Sequence, residues 1–159
     1  MDLLKTCVVT APKSGTIVYL ANPTNPRGYE KIYFHEFSAQ HRRYMKGGYL
    51  FYSMVDALNA TAAMLKAKSD TANFIMTEPI MTEPSNFTLV YLPVLYESRN
   101  HNPIRYNPKC DIHVMWYRIG MLFHKRSHAV AVAIAMKEIP RLNLEQKKAS
   151  IDAGLSFMN

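Results

Sequence analysis

The sequence predicts a single α+β domain, residues 1–159, with largely antiparallel sheet and two helices. Three observations predict it. Runs rich in β-branched and aromatic residues are broken by Pro-, Gly- and Asn-rich stretches, one apolar stripe recurs at helical spacing, and a second group of strand-like runs ends in another helical pattern. Strands followed by a helix, given twice, is an α+β plan.

The first strand-like run, Leu3 to Thr10, stops at the turn-forming Pro12-Lys13-Ser14-Gly15, and Thr16 to Leu20 follows as a second. Asn22 to Gly28 holds two prolines and a glycine and is a loop, after which Lys31 to Phe37 resumes a short strand. Beyond Gly47-Gly48, the residues Phe51, Met54, Val55, Leu58, Ala62 and Leu65 fall on one helical stripe. Asn73 to Met76 is a candidate strand, and Ile-Met-Thr-Glu-Pro then occurs twice from Ile75 to Pro84, too short a period for a solenoid. Asn86 to Tyr96 is strongly β, with Pro93 demanding an edge or a bulge. Asn100 to Pro108 is a second loop. Asp111 to Ile119 and Ala129 to Met136 both alternate at period two and are assigned as strands. Asn143 with Gln146 resembles a capping box, opening a terminal helix whose stripe is Leu144, Ile151, Leu155 and Met158. No sequence repetition between the two halves is expected.

Composition bounds the function. A hydrophobic fraction of 48% with 19% charged residues excludes a disordered or fibrous chain. Cys7 and Cys110 are expected as separate thiols in a reducing compartment, and neither has the spacing of a zinc site. The N-terminal residues lack the pattern of a signal peptide, and no apolar run is long enough for a membrane span, so an intracellular protein is expected and the Asn59-Ala60-Thr61 and Asn86-Phe87-Thr88 triplets are discounted as glycosylation sites.

The net charge of +7 attracts polyanions. Between Arg99 and Arg126 lie six basic residues (Arg99, Arg105, Lys109, Arg118, Lys125 and Arg126) against the lone acid Asp111, together with Tyr106, Trp116 and Tyr117. Rings beside cations on a sheet suit single-stranded nucleic acid, because bases stack on the rings while Lys and Arg hold phosphates. Trp116 is assigned to the core and Tyr117 to the exposed face with His113. A second basic patch, Arg42, Arg43 and Lys46, precedes the glycine pair and the helix, where free backbone N–H groups could receive a phosphate. Lys125 and Arg126 sit in a polar, hairpin-like connection between two strand candidates.

No nucleophile elbow, Walker loop, dinucleotide fingerprint or acidic metal cluster is present in the sequence, and no cofactor or metal is expected. His35 and His113, with Arg42 or Tyr117, are the only pair considered for acid–base cleavage of RNA. In outline, two rounds of strands and a helix with a basic aromatic sheet resemble Whirly-type single-strand-binding folds. The expected function is non-enzymatic binding of single-stranded nucleic acid, RNA ahead of DNA, with low sequence specificity, through Arg42, Arg43, Lys46, Arg99, Arg105, Lys109, Tyr117, Lys125 and Arg126. A protein-interaction or assembly factor with an acidic partner is the alternative, a small metal-independent nuclease the third, and a homo-oligomer is allowed.

Overall fold

The computed structural model describes residues 6–154. The expected strand at Leu3 to Lys5 and the stripe positions Leu155 and Met158 lie outside the described residues. The chain has mixed α+β architecture, with strands preceding helices twice along its length.

It divides into two compact units: residues up to Ala63 together with those from Glu138 onward, and Met64–Lys137. In the first, β1 (Ile17–Ala21) and β2 (Tyr29–Tyr33) form an antiparallel hairpin, α1 (Ala39–Lys46) follows, and β3 (Leu50–Phe51) returns beside β1, giving the order β2-β1-β3. In the second, β4 (Leu89–Pro93) pairs antiparallel with β5 (His101–Arg105), α3 (Asp111–Arg118) follows, and Phe123 bridges back to Tyr91. Each unit then starts a long helix that ends in the other: α2 (Met54–Phe74) leaves the first, and α4 (Arg126–Asp152) leaves the second.

The two units are one motif used twice. Ile17 corresponds to Leu89, Tyr29 to His101, Ala39 to Asp111 and Met54 to Arg126, so every equivalent element starts 72 residues further on. The hairpin registers agree, Ile17 facing Tyr33 as Leu89 faces Arg105. So do the connecting hydrogen bonds: Phe34 N–H to Thr16 matches Tyr106 N–H to Thr88, and Val8 N–H to Leu50 matches Ile80 N–H to Leu122. The cores are built from equivalent positions, with Val18 and Leu20, Phe34, Leu50 and Phe51 in one unit and Val90 and Leu92, Tyr106, Leu122 and Phe123 in the other, all buried. The buried stripe of α2 is Ala57, Ala60, Thr61 and Met64, and that of α4 is Ala129, Val132, Ala133 and Met136. These follow the 0, 3, 4, 7 pattern with small residues that admit a close approach to the sheet. Duplication, which the sequence does not announce, is therefore evident in the structure.

Several local expectations are corrected. Asp111–Arg118 is helical, not a strand: Asp111 and Arg118 sit at the ends where the helix dipole favours their signs. Ala129 to Met136 is also helical, because its buried residues obey the 3.6 period although its letters alternate at period two. Four helices thus stand among the described residues instead of two. The basic patch at Arg42, Arg43 and Lys46 is not a turn but α1, capped by Ser38, whose Oγ accepts from the His41 N–H at 3.2 Å. α2 runs on through the supposed strand at Asn73-Phe74, and its expected stripe is displaced, leaving Met54 and Val55 exposed. The loop from Asn100 contains β5, where Pro103 sits on the strand furthest from Phe123 and needs no ladder partner on that side. β2 stops at Tyr33, short of Phe37. Lys125 and Arg126 do not form a hairpin tip, since Lys125 accepts the first N–H bond of α4 and Arg126 opens it. Asn143 and Gln146 lie inside α4.

Gly48 and Gly120, both with positive φ, close the equivalent turns after α1 and α3. A Cβ at Gly48 would stand 2.4 Å from the Pro140 carbonyl oxygen and 3.1 Å from Leu144 Cβ, so α4 lies almost against the backbone there. Gly48→Ala combines this clash with a left-handed conformation and should destabilise by about 2–4 kcal/mol. Gly15→Ala, where φ is also positive but nothing lies within 4 Å, should cost only about 1 kcal/mol. Urea denaturation of the two variants checks the difference, and equal losses would contradict the close approach.

Candidate functional site

An antiparallel hairpin sends alternate residues to opposite faces. On β1, Val18 and Leu20 turn inward and are fully buried, which leaves Ile17 and Tyr19 on the other face. Register places Tyr33 opposite Ile17, Lys31 opposite Tyr19 and Tyr29 opposite Ala21. Tyr19, Tyr29, Lys31 and Tyr33 therefore share the outward face. Tyr33 is 61% exposed, and Lys31 Nζ stands 5.5 Å from its ring centroid, a cation–π distance. The Tyr19 and Tyr29 rings meet edge to face, their centroids 6.1 Å apart. Arg27 at the hairpin turn, Glu30 and Met54 of α2 complete an open groove of about 490 Å³ beside this pair.

The second hairpin repeats the arrangement with different side chains. Tyr91 and His101 are also edge to face, with centroids 6.1 Å apart. Arg105 replaces Tyr33, Pro103 replaces Lys31, and Arg99 occupies the position of Arg27. In each unit the long helix tethers the hairpin turn: Thr61 of α2 donates from its hydroxyl to the Gly28 carbonyl, and Lys137 of α4 donates to the Glu97 carbonyl at 2.7 Å and Asn100 Oδ1 at 2.6 Å.

The residues expected from sequence are distributed over both units. Arg42, Arg43 and Lys46 are exposed on α1 in the first unit, whereas Arg99, Arg105, Lys109, Tyr117, Lys125 and Arg126 belong to the second. Of the latter, Arg99 and Arg105 lie on the β4–β5 hairpin, with Arg99 3.7 Å from Glu97 and Arg105 Nη1 donating to the Phe87 carbonyl at 3.3 Å. Lys109 precedes α3. Tyr117 is half-buried on α3, one helical turn from His113, its hydroxyl donating to the Met81 carbonyl at 3.2 Å and its ring edge to face with Tyr106. Trp116, expected in the core, is half-buried on the same helix, stacked on His113. Tyr19, Tyr29, Lys31 and Tyr33 were missed. Their alternation in Ile17 to Ala21 and Tyr29 to Tyr33, tyrosine outward and aliphatic inward, was the available signal.

Two of the histidines are repeat equivalents with the same backbone partner. His113 has His41 as its repeat equivalent, and in each the Nδ1 accepts a backbone N–H from six residues earlier, at 3.0 Å, from Asn107 and His35 respectively. Accepting at Nδ1 leaves the neutral ring its proton on Nε2. Both rings also stack on the aromatic three residues later, Tyr44 or Trp116. His35, the other half of the supposed cleavage pair, lies in the first unit and uses its own Nδ1 to accept from Phe37 N–H at 3.3 Å.

Nothing among known protein families, curated proteins or solved structures matches the chain. The likeness to Whirly-type folds accordingly rests on element order alone.

Burial also sets two titrations. Desolvation, reinforced by the hydrogen bond to Glu83 at 2.9 Å, pushes the Tyr106 phenol up to about 12, and desolvation pushes the Cys7 thiol up to about 11. Each acid holds its proton more tightly folded than unfolded, so its contribution is constant below the unfolded pKa and lost as pH rises toward the folded one. Lys68 and Lys137, pulled down by desolvation, act in the opposite sense. Tyr106→Phe isolates the phenol: between pH 10 and pH 12 the unfolding free energy of the wild type should fall more steeply than that of the variant. Parallel curves would contradict the buried, Glu83-bound phenol.

Proposed function

We propose that the protein binds single-stranded nucleic acid, RNA ahead of DNA, without catalysis, and that the outward face of the β1–β2 hairpin is its principal contact. The observation that supports this reading is the row of Tyr19, Tyr29 and Tyr33 with Lys31 and Arg27 among them. Same-face residues along a strand are two apart, roughly 6.5–7 Å by the strand rise. On β2 this puts Lys31 between Tyr29 and Tyr33, with Tyr19 of β1 edge to face with Tyr29, so rings that can stack with splayed bases alternate with a cation that can neutralise phosphate. Glu30, at the edge of the groove, adds an acceptor for a base amino group. Exposed Arg42, Arg43 and Lys46 on α1, and Lys109, Lys125 and Arg126 in the second unit, extend the attraction as long-range charge. Tyr117 supplies no stacking in this scheme.

Binding of this kind is weakly sequence-dependent and strongly salt-dependent. In fluorescence-anisotropy titrations, single strands should bind more tightly than duplex. Tyr33→Ala should cost about 1–3 kcal/mol, the value of one stacked base. Lys31→Glu should weaken binding to all sequences and reduce the salt slope by about 1. Failure to bind any single strand at low salt would reject the proposal and leave an acidic protein partner as the ligand of this face.

A further inference from the structure

We propose that the β4–β5 hairpin carries a second single-strand site, separate from the first, built on Tyr91, His101, Arg105 and Phe87. The inference rests on the nucleic-acid reading of the β1–β2 face and extends it to two ligand segments per chain. Its first support is equivalence: the Tyr91–His101 pair reproduces the centroid distance and edge-to-face geometry of Tyr19–Tyr29, 72 residues away. A cation is again beside the rings, since Arg105 is exposed on the same face as Tyr91 and takes the position that Tyr33 holds in the first hairpin. A guanidinium offers both a flat surface for a base and a fork for phosphate, so one side chain can serve in place of the Lys31 and Tyr33 pair.

The second support is independent of the comparison between rings. The turn leading into each hairpin is closed by a hydrogen bond, from Thr16 N–H to the Lys13 carbonyl at 3.1 Å and from Thr88 N–H to the Ser85 carbonyl at 3.2 Å. Its third residue has positive φ, as a type II turn requires, and that position favours glycine. The first unit has Gly15 there, with φ of 93°; the second has Phe87, with φ of 64°. A bulky residue in this conformation is strained, and burial does not compensate for it, because Phe87 is 69% exposed. Its carbonyl accepts from the Arg105 guanidinium at 3.3 Å, so the backbone of this turn is tied to the strand that carries the cation. An exposed aromatic held against its backbone preference on a turn tied to a cation is explained by a ligand that stacks on it.

The strain also supplies the test. Phe87→Gly relaxes the turn, so its thermal midpoint should equal or exceed that of the wild type while stacking is lost. Isothermal titration of the full chain with hexauridylate at low salt should give two equivalents for the wild type and one for Phe87→Gly. Arg105→Glu, which keeps Phe87 but removes the cation, should likewise give one. Lys31→Glu combined with Tyr33→Ala should also retain one equivalent, now the one lost in the Phe87 and Arg105 variants. A single equivalent in the wild type, abolished by the Lys31 and Tyr33 changes and untouched by Phe87→Gly and Arg105→Glu, would overturn the second site and leave the first intact. Absence of any hexauridylate binding would remove both.

Discussion

The seating of a long helix against a glycine turn, by backbone at Gly48 and by the Lys68 side chain at Gly120, is the constraint on which the rest of the structure depends. In the first unit the turn at Gly48 lies against Pro140 and Leu144 of α4, near the end of a helix that begins in the second unit. In the second, the turn at Gly120 lies against Lys68 of α2, whose Nζ donates to the Gly120 carbonyl at 3.1 Å. Gly48 and Gly120 are repeat equivalents, and so are Lys68 and Pro140. Neither repeat closes its own core: each hairpin, short helix and returning strand is completed by the far half of the helix from the other. That arrangement explains why α2 and α4 run to 21 and 27 residues, long enough to serve both units. It also explains why their buried stripes are made of alanine and other small residues.

Half of this was legible in the sequence, for identifiable reasons. The α+β class and the strands at Ile17 to Ala21 and Leu89 to Pro93 followed from β-branched and aromatic runs, and tertiary packing agrees with them. α3 and the start of α4 were misread because alternation in short runs such as Ala129 to Met136 fits a strand as well as a helix, and only burial decides. β5 was hidden by Pro103, tolerated because its strand is not flanked on that side. The duplication escaped because its identities are mostly single, as at Thr16 and Thr88, His41 and His113, Gly48 and Gly120, or in runs of two or three such as Val18-Tyr19-Leu20 and Val90-Tyr91-Leu92, or Leu50-Phe51 and Leu122-Phe123. Aligning the chain with itself at a 72-residue offset would have exposed them and paired His41 with His113.

The same comparison separates what the fold needs from what function can vary. Inward positions keep their chemistry between the repeats: Leu50 and Leu122, Phe51 and Phe123, Met64 and Met136. Outward hairpin positions are less uniform: Tyr19 and Tyr91 are identical, but Tyr29 stands against His101, Lys31 against Pro103 and Tyr33 against Arg105. Rings and cations persist on both faces although most of the residues carrying them differ. Chemistry of that kind suits a ligand recognised by stacking and charge, whose bases all offer a π-face and whose phosphates recur along the strand. Of the basic stretch from Arg99 to Arg126, only Arg105 lies on a strand, with Arg99 in the hairpin connection before it.

The central claim is that the outward hairpin faces, and not the helical cations, hold the bases. Ultraviolet crosslinking of the intact protein to oligouridylate, followed by peptide mapping, tests it most directly, because zero-length crosslinks form where a base is stacked on a ring. The account predicts adducts at Tyr19, Tyr29 or Tyr33 in the first unit, and at Phe87 or Tyr91 in the second. Adducts confined to Trp116 and Tyr117 of α3, or to residues outside both hairpins, would contradict it.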